Sequence, residues 1–372
     1  MTVQKKMEFI DLKTQQQQIY PALMRNIQRV LEHGQYIMGP EIKELEDRLA
    51  DFVGVRQVIS CSSGTDALLI PLLAYGVGPG DAVFTTPFTF ISTAEVIQLL
   101  GATPIFVDID LRTFNINPQA LDEAIAHCRV PLTPKGIITV DLFGLPADYA
   151  ALKAIAQKHG LFVLEDAAQA FGATYQGNPA CSLTEVGATS FFPAKPLGGY
   201  GDGGAIFTDD EGLAEVMRSI RVHGQGSHKY DNVRIGINGR LDTLQAAILL
   251  AKLDVFPQEV KVRQEVAQRY SEALRSIVEV PYVPPDCMSA WAQYSVLSDQ
   301  RTFFQEKLKQ ANIPSVVYYP TPLHLQTAFH HLGYKPGDFP VSEQVSERIF
   351  SLPMHPYLTP DAQQRIIDAF LG

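Results

Sequence analysis

The residue of this sequence with the clearest chemical potential is a lysine in apolar surroundings. Lys195 stands in TSFFPAKPLGGYGDGG, between an apolar run and a glycine-rich stretch. Removing a lysine from water lowers its pKa and makes the free amine nucleophilic toward carbonyl groups. A surface lysine in a loop is the alternative, and the rarity of buried lysines favours it when Lys195 is considered alone.

A carboxylate occupies a second promising place. Asp166, in LFVLEDAAQAFGA, ends an apolar run that is typical of a buried strand. In parallel sheets, ligands bind beyond the carboxyl ends of the strands. A carboxylate there can keep a pyridine nitrogen protonated, which makes the ring an electron sink, and Gln169 can face the same side and bond the phenolic oxygen of such a ring. A helix N-cap is the alternative role for Asp166, and the two roles are compatible.

Two weaker features could bind the rest of such a cofactor. Ser62, Ser63, Gly64 and Thr65 follow the strand-like VISC and open a helical segment. Their amides and hydroxyls, with the helix dipole, can cradle a phosphate, although ordinary capping is common at such turns. Phe88, in TTPFTFIS, can stack on a planar ring or simply pack in the core.

The order of these features carries more information than any one of them. A phosphate turn, an aromatic residue, Asp-x-x-Gln and a lysine follow one another along the chain. A lysine, a strand-end carboxylate and a phosphate cradle are what a pyridoxal-phosphate (PLP) enzyme must supply. The sequence therefore predicts PLP as cofactor, with Lys195 as its Schiff-base lysine.

The elements that must position these residues follow an alternating pattern. Runs rich in Val, Ile and Phe alternate with helical segments of about ten residues, a pattern typical of a parallel sheet with helices on both faces. The segment LFVLEDAAQA is expected to be a strand that runs into a helix. From about residue 255, a long charge-rich helix and shorter strands indicate a small α+β domain. We expect a large domain over 1–254 and a small one over 255–372.

Composition excludes several classes of protein. The chain has 372 residues and a formal net charge of −10, which disfavours bulk attraction to nucleic acid or anionic lipid. The amino terminus lacks an apolar stretch of signal-peptide length, and no run approaches the roughly 18 apolar residues of a membrane helix.

The placement of cysteine, histidine and glycine residues argues against disulfides, metal sites and nicotinamide binding. The four cysteines are scattered without a CxxC pair, which favours free thiols in a reducing cytoplasm over disulfides or zinc. His330 and His331 are adjacent and no HExxH motif occurs, so no metal is expected. A GxGxxG turn is also missing, which argues against a nicotinamide oxidoreductase.

The sequence resembles the DegT/DnrJ/EryC1/StrS family of sugar aminotransferases over essentially its whole length. The resemblance rests on SSGTDAL (62–68), TPFTFISTAE (86–95), VDID (107–110), EDAAQAFGA (165–173), TSFFPAKPLGGYGDGGAIFT (189–208) and GINGRLDTLQAA (236–247). It implies an α/β, fold-type I PLP-dependent aminotransferase, with a large mostly parallel-sheet domain and a smaller C-terminal α+β domain. It also implies a homodimer with shared active sites.

Several site roles follow from the resemblance. Lys195 would bind the cofactor and shuttle protons, Asp166 would contact the pyridine nitrogen, and Gln169 would lie near the phenolic oxygen. Phe88 would stack on the ring. The phosphate would be held by Ser63, Gly64, Thr65 and Ser190, and by Asn238 from the partner subunit. The cofactor would pass through its pyridoxamine form with L-glutamate as donor.

Within the family, MEFIDLK, HGQYIMGPE and SLPMHPYL are most similar to aminotransferases that act on UDP-2-acetamido-2-deoxy-3-oxo-glucuronate in O-antigen assembly. The resemblance implies a UDP-linked 3-keto sugar acid as acceptor, a cytoplasmic setting, and no role for nucleic acid or membrane. Arg240 is our candidate for the sugar carboxylate, because guanidinium binds carboxylate through two hydrogen bonds; an ion pair with Asp242 is the alternative. Tyr318, Tyr319 and His324 are further candidates for sugar contacts, although relatives often have His in place of Tyr318.

Three related activities remain as alternatives. Sugar 3-dehydratases of the same fold carry His at the lysine position, and Lys195 speaks against them. A regulatory homologue would be expected to lose the lysine or the strand-end aspartate, and both are present. An aminotransferase for another nucleotide-linked 3- or 4-keto hexose would share the same catalytic residues, so the sequence leaves that choice open.

Overall fold

The computed structural model describes residues 7–128 and 131–371. Residues 1–6, part of the amino-terminal segment judged to lack a signal-peptide core, lie outside the described residues. The helices are α1 (Leu12–His33), α2 (Pro40–Val53), α3 (Gly64–Ala74), α4 (Ser92–Leu99), α5 (Pro118–His127), α6 (Tyr149–His159), α7 (Glu211–Arg221), α8 (Thr243–Leu253), α9 (Phe256–Leu274), α10 (Arg301–Gln310), α11 (Pro340–Arg348) and α12 (Pro360–Leu371).

The strands are β1 (Gln57–Cys61), β2 (Asp81–Thr85), β3 (Thr103–Phe106), β4 (Thr133–Val140), β5 (Phe162–Asp166), β6 (Thr174–Tyr175), β7 (Asn178–Pro179), β8 (Val186–Ser190), β9 (Gly204–Thr208), β10 (Cys287–Met288), β11 (Tyr294–Leu297) and β12 (Ile349–Leu352). Short 3-10 helices span Leu142–Gly144, Leu323–Leu325 and Thr327–Leu332. Among the described helices, none combines the length and apolarity needed to cross a bilayer.

A seven-stranded sheet organises the first part of the chain, in the order β1-β9-β8-β5-β4-β2-β3. The pairs β2–β3, β2–β4, β4–β5 and β5–β8 are parallel, whereas β9 runs antiparallel to both of its neighbours. The central strands are buried almost throughout, as strands covered on both faces must be. The predicted alternation of strands and helices is confirmed.

The segment after Asp166 differs from our expectation, because a tight turn follows β5 instead of a helix. The Ala168 amide donates to Asp166 Oδ1 at 3.2 Å, and the Ala170 and Ala173 amides each bond a carbonyl three residues back. Gly172 then adopts a φ of +92°, which suits glycine, and the chain reverses into β6. The alanine-rich run looked helical, but these local bonds replace the helical ladder. The proposed N-cap role of Asp166 is therefore wrong.

The later part of the chain has its own sheet and core. Strands β11 and β12 pair antiparallel, and helices α9, α10 and α12 contribute buried apolar side chains to one cluster around them. Met7, near the amino terminus, belongs to the same cluster, and β10 pairs with β6 of the earlier part. The division at residue 254 stays a prediction.

Candidate active site

Lys195 lies in the loop between β8 and β9. Its own amide bonds the Phe192 carbonyl at 2.9 Å, and Phe191 anchors both ends of the loop through bonds to Gly199 and Gly203. Burial lowers the pKa of Lys195, and the negative charge of Asp166 partly offsets this effect. The lysine is therefore both partly desolvated and close to a carboxylate, as a nucleophilic amine requires.

Asp166 ends β5 and is almost fully buried. Its Oδ2 accepts a hydrogen bond from the Thr93 hydroxyl at 2.8 Å. Burial raises the pKa of Asp166, whereas the bonds from Thr93 and Ala168 and the charge of Lys195 lower it. Two donors thus fix the direction of the carboxylate, and its charge faces the same space as the lysine.

Gln169 is held at both ends of its amide. Its Oε1 accepts from the Phe143 amide at 2.8 Å, and its Nε2 donates to the Tyr319 hydroxyl at 3.1 Å. Burial raises the pKa of Tyr319, so its hydroxyl stays protonated. One N–H of Nε2 remains for another acceptor, because an amide nitrogen carries two.

The serine-glycine turn opens α3 as expected. Ser63 is the N-cap, and its Oγ accepts from the Asp66 amide at 3.1 Å. A Cβ added to Gly64 would lie 2.6 Å from the Cβ of Ser190, so only glycine allows this close approach. Thr65 Oγ1 lies 3.0 Å from Ser92 Oγ. The first-turn amides of a helix lack helical acceptors, so this hydroxyl-rich corner can receive an anion.

Phe88 is fully buried. The rings of Phe114, Phe143 and Tyr319 surround it at centroid distances of 6.4, 6.4 and 6.0 Å, all edge-to-face. This geometry is that of a core aromatic. Stacking of Phe88 on a cofactor ring stays a prediction.

Arg240 and Asn238 lie on the segment that passes the serine-glycine turn, since the Ser62 amide bonds the Gly239 carbonyl at 3.0 Å. Asn238 is exposed and Arg240 is half-buried. Among the described residues, no hydrogen-bond partner reaches the buried Nε of Arg240, and no ion pair with Asp242 forms. The guanidinium is therefore available to a ligand.

The tyrosine and histidine candidates separate into two groups. Tyr319 accepts a hydrogen bond from Gln169. The ring of Tyr318 lies edge-to-face against those of Tyr319 and Phe9, at centroid distances of 5.9 and 6.4 Å. His324 is fully buried, with Nε2 3.0 Å from Glu343 Oε1 and its ring against Phe339. A direct contact between His324 and the sugar stays a prediction.

Sequence reasoning missed two features of the site. Thr93, which orients Asp166, lies in the first turn of α4. It is one of several hydroxyl residues that follow β2 along the chain, and only the fold shows which of them meets β5. A small cavity beside Lys195 is bordered by Ile10 and Asp11 near the amino terminus and by Arg263, His355 and Tyr357. The segments MEFIDLK and SLPMHPYL, noted only for their resemblance, were the available signal.

Nearly the whole chain is similar to known proteins. Residues 17–371 match the DegT/DnrJ/EryC1/StrS aminotransferase family. The UDP-2-acetamido-2-deoxy-3-oxo-D-glucuronate aminotransferase of Pseudomonas aeruginosa is 52% identical over 352 residues, which cover 94% of this chain and 96% of the relative.

Two solved structures are also similar. A DegT DnrJ EryC1 StrS aminotransferase from Brucella abortus superposes with a TM-score of 0.96 at 51% identity, covering 98% of this chain and 99% of that one. NtdA from Bacillus subtilis, solved with bound cofactor PMP, superposes with a TM-score of 0.88 at 30% identity and covers 98% of this chain and 82% of its own.

Proposed function

Because the chain belongs to the DegT/DnrJ/EryC1/StrS aminotransferase family, we propose that it transfers an amino group from L-glutamate to UDP-2-acetamido-2-deoxy-3-oxo-D-glucuronic acid, with PLP as cofactor. Its architecture is that of the fold-type I aminotransferases. The observation that carries the proposal is the placement of a desolvated Lys195 beside the fixed carboxylate of Asp166. The relative from Pseudomonas aeruginosa supports this choice of acceptor.

The residues present fit PLP. Asp166 is a buried carboxylate whose pKa is raised by burial. The positive charge of a protonated ring nitrogen would pair with this carboxylate and offset the cost of burying it. Gln169 keeps one N–H for the phenolic oxygen. The corner formed by Ser63, Gly64 and Ser190 offers hydroxyls and helix amides to a phosphate. Lys195 would hold the cofactor covalently through Nζ.

The proton transfers fall to Lys195. Bound PLP supplies an electron sink for the charge left when the donor's α-carbon loses its proton. Lys195 Nζ, freed when the donor amine takes its place, would accept that proton as a base and deliver it as an acid to C4′ of the cofactor. Asp166 would keep the ring nitrogen protonated, and its bond from Thr93 holds the carboxylate in place. Lys195 would move the proton in the opposite direction when the keto sugar is the bound partner.

Arg240 is proposed to bind the carboxylate of the sugar. Its Nε is buried without a partner among the described residues, and a buried N–H donor that lacks an acceptor costs free energy unless a ligand supplies one. A sugar acid supplies the two oxygens that a guanidinium fits. Recognition through Arg240 would favour an acidic sugar over a neutral one.

Replacing Arg240 with alanine should therefore weaken the binding of the acidic sugar more than that of a neutral sugar. A hydrogen bond to a charged group contributes about 1.5–3 kcal/mol, so KM for the sugar acid should rise by roughly 10- to 100-fold. The donor half-reaction, in which no sugar takes part, should keep its rate. Steady-state kinetics with the acidic sugar and its neutral counterpart provide the measurement.

Arg240→Lys is the matched control, since it keeps the charge but loses the two-pronged geometry. It should recover part of the affinity. An equal rise in KM for the acidic and the neutral sugar in Arg240→Ala would show that Arg240 only supports the fold.

The active form is proposed to be a homodimer. Exposed apolar side chains continue from α1 into the following loop, where Tyr36, Ile37 and Met38 are 41–50% exposed. Tyr230 and Ile235, on the segment before Asn238, are 87% and 88% exposed. Exposed apolar side chains of this kind are typical of an interface. In such a dimer, Asn238 of each subunit would reach the phosphate bound by the other subunit.

Mixing two inactive variants tests the shared site. Lys195→Ala and Asn238→Ala chains, unfolded and refolded together, form mixed dimers in which one site has both residues intact. In a random mixture, half of the dimers contain one chain of each variant, and one of the two sites in such a dimer is intact. We therefore expect about a quarter of wild-type activity. Lys195→Ala mixed with the double variant is the control. If the first mixture stays as inactive as the control, Asn238 does not act across the interface.

The cellular setting belongs to the same proposal. The four cysteines all lie in the described part of the chain and no disulfide joins them there, which fits a reducing cytoplasm. A 3-amino sugar acid linked to UDP is a building block for polysaccharide, so we propose a role in O-antigen or lipopolysaccharide synthesis.

A further inference from the structure

A pair of buried carboxyl groups lies behind the active site. Asp141 follows β4 and Glu165 precedes Asp166 in β5, and both side chains are fully buried. Because neighbouring residues of a strand point to opposite faces, Glu165 lies on the side of the sheet away from Asp166. Neither carboxyl group contacts the proposed cofactor site directly.

The hydrogen bonds of the pair leave one oxygen without an ordinary donor. Asp141 Oδ1 accepts from the Tyr149 hydroxyl at 2.7 Å and from the Ala147 amide at 3.0 Å. Glu165 accepts one backbone amide on each oxygen, at 2.6 and 3.0 Å. The two carboxyl groups also bond each other, yet Asp141 Oδ2 has no N–H or hydroxyl donor among the described residues.

Within residues 7–128 and 131–371, no positive charge compensates the pair. The titratable groups that face it from the surrounding elements are Tyr149, Asp166 and Cys181, which are neutral or acidic; Cys287 lies further out. Burial raises the pKa of both carboxyl groups, to about 7 for Asp141. Two buried carboxylates in contact cannot both be ionised at low cost.

We propose that Asp141 and Glu165 share a single proton, carried on Asp141 Oδ2 and donated to Glu165, and that this bond positions the cofactor-binding ends of β4 and β5. The placement of the proton follows from the acceptor count. Asp141 Oδ1 accepts two bonds as a carbonyl oxygen can, while both oxygens of Glu165 accept amides as a carboxylate does.

Two contacts connect the pair to the site. The Asp141 amide bonds the Asp166 carbonyl at 3.0 Å. The turn held by Asp141 and Ala147 carries Phe143, whose amide bonds Gln169 Oε1 at 2.8 Å. Asp141 is thus a positioning residue for Asp166 and Gln169. This link rests on the proposed function, whereas the shared proton does not.

Infrared spectroscopy of the apoprotein tests the proton directly. A protonated carboxylic acid has a carbonyl stretch distinct from that of a carboxylate, and the wild type should show one buried acid at pH 6. In Asp141→Asn that band should be missing, because the amide donates to Glu165 without a titrating proton. Glu306→Gln, which removes an exposed carboxylate, should keep it. Survival of the band in Asp141→Asn would overturn the assignment.

Stability against pH provides a second readout. In the unfolded chain both carboxyl groups ionise near pH 4, whereas burial raises the pKa of Asp141 in the folded chain to about 7. The wild type therefore loses stability as pH rises through this window. Relative to Asp141→Asn, its unfolding constant should rise about tenfold per pH unit between pH 5 and 7 and then level off. A ratio independent of pH would contradict the shared proton.

Rescue by the amide tests positioning. Asp141→Ala should weaken PLP binding and shift the pH titration of the cofactor's absorption band, and Asp141→Asn should restore both. Glu165→Gln should be worse than Asp141→Asn, because its amide group would face a backbone donor. If Asp141→Ala does not fold, the positioning role is tested by whether Glu165→Gln binds PLP more weakly than Asp141→Asn does. Normal cofactor spectra in both Asp141→Ala and Glu165→Gln would overturn the positioning role and leave the proposed function intact.

Discussion

Replacing Lys195 with alanine should reduce turnover by about four orders of magnitude while the fold is retained. The variant loses the amine that binds the cofactor and moves the proton, and acid–base catalysis alone contributes up to about 10⁴-fold. The loop itself should persist, because its bonds run through the backbone of Phe191 and Phe192. Single-turnover kinetics with L-glutamate and PLP measure the loss.

Lys158→Ala is the matched control, because Lys158 is an exposed lysine paired with Asp122. It should behave as the wild type does. A small primary amine added to Lys195→Ala should restore a fraction of the rate, since the missing group is then supplied from solution. Turnover by Lys195→Ala within tenfold of the wild type would mean that another residue carries the chemistry.

Replacing Asp166 with asparagine should lower the rate of the donor half-reaction by about 10²- to 10³-fold. A neutral amide cannot keep the ring nitrogen protonated, and removal of one electrostatic stabiliser typically costs this much. The side-chain oxygen of the asparagine would still accept the Ala168 amide, so the turn after β5 should survive. Rapid-mixing absorbance with L-glutamate follows the half-reaction, and circular dichroism checks the fold.

Thr93→Val separates the charge of Asp166 from its orientation. Valine has nearly the shape of threonine but donates no bond to Asp166 Oδ2, so the loss should be about tenfold, the value of one hydrogen bond. The account requires the rate of the donor half-reaction to fall in the order wild type, Thr93→Val, Asp166→Asn. If Asp166→Asn were the faster of the two variants, charge at this position would not drive the reaction.

Local patterns were enough to single out the residues at the ends of β1 and β5, whereas Ser190 at the end of β8 entered through the family resemblance. Alternation of apolar runs with helical segments indicated a parallel sheet, and such a sheet brings the carboxyl ends of its strands to one edge. The contact between Gly64 and Ser190 and the proximity of Lys195 to Asp166 follow from that geometry. The turn after Asp166 was missed because AAQAFGA has helical composition, whereas local hydrogen bonds and the left-handed φ of Gly172 form a turn there.

Contacts between distant segments could not be predicted from one sequence. Thr93 is one hydroxyl among several, and its partner lies 73 residues away. His324 was a candidate for a sugar contact, and its contacts with Phe339 and Glu343 became visible only in the fold. Asp141 and Glu165 each ended an apolar run, as Asp166 does. Which face of its strand each carboxylate occupies depends on strand register, and composition does not report register.

The most direct test of the central claim is the visible absorption spectrum of the wild type and of Lys195→Ala with PLP, before and after L-glutamate. Our account predicts that the wild type shows the band of PLP joined to a lysine, and that glutamate converts this band to the spectrum of the pyridoxamine form. Lys195→Ala should show only the spectrum of unattached PLP. The same lysine-bound band in both proteins, or a wild-type band that glutamate leaves unchanged, would contradict the assignment of Lys195 as the residue that binds the cofactor and drives transamination.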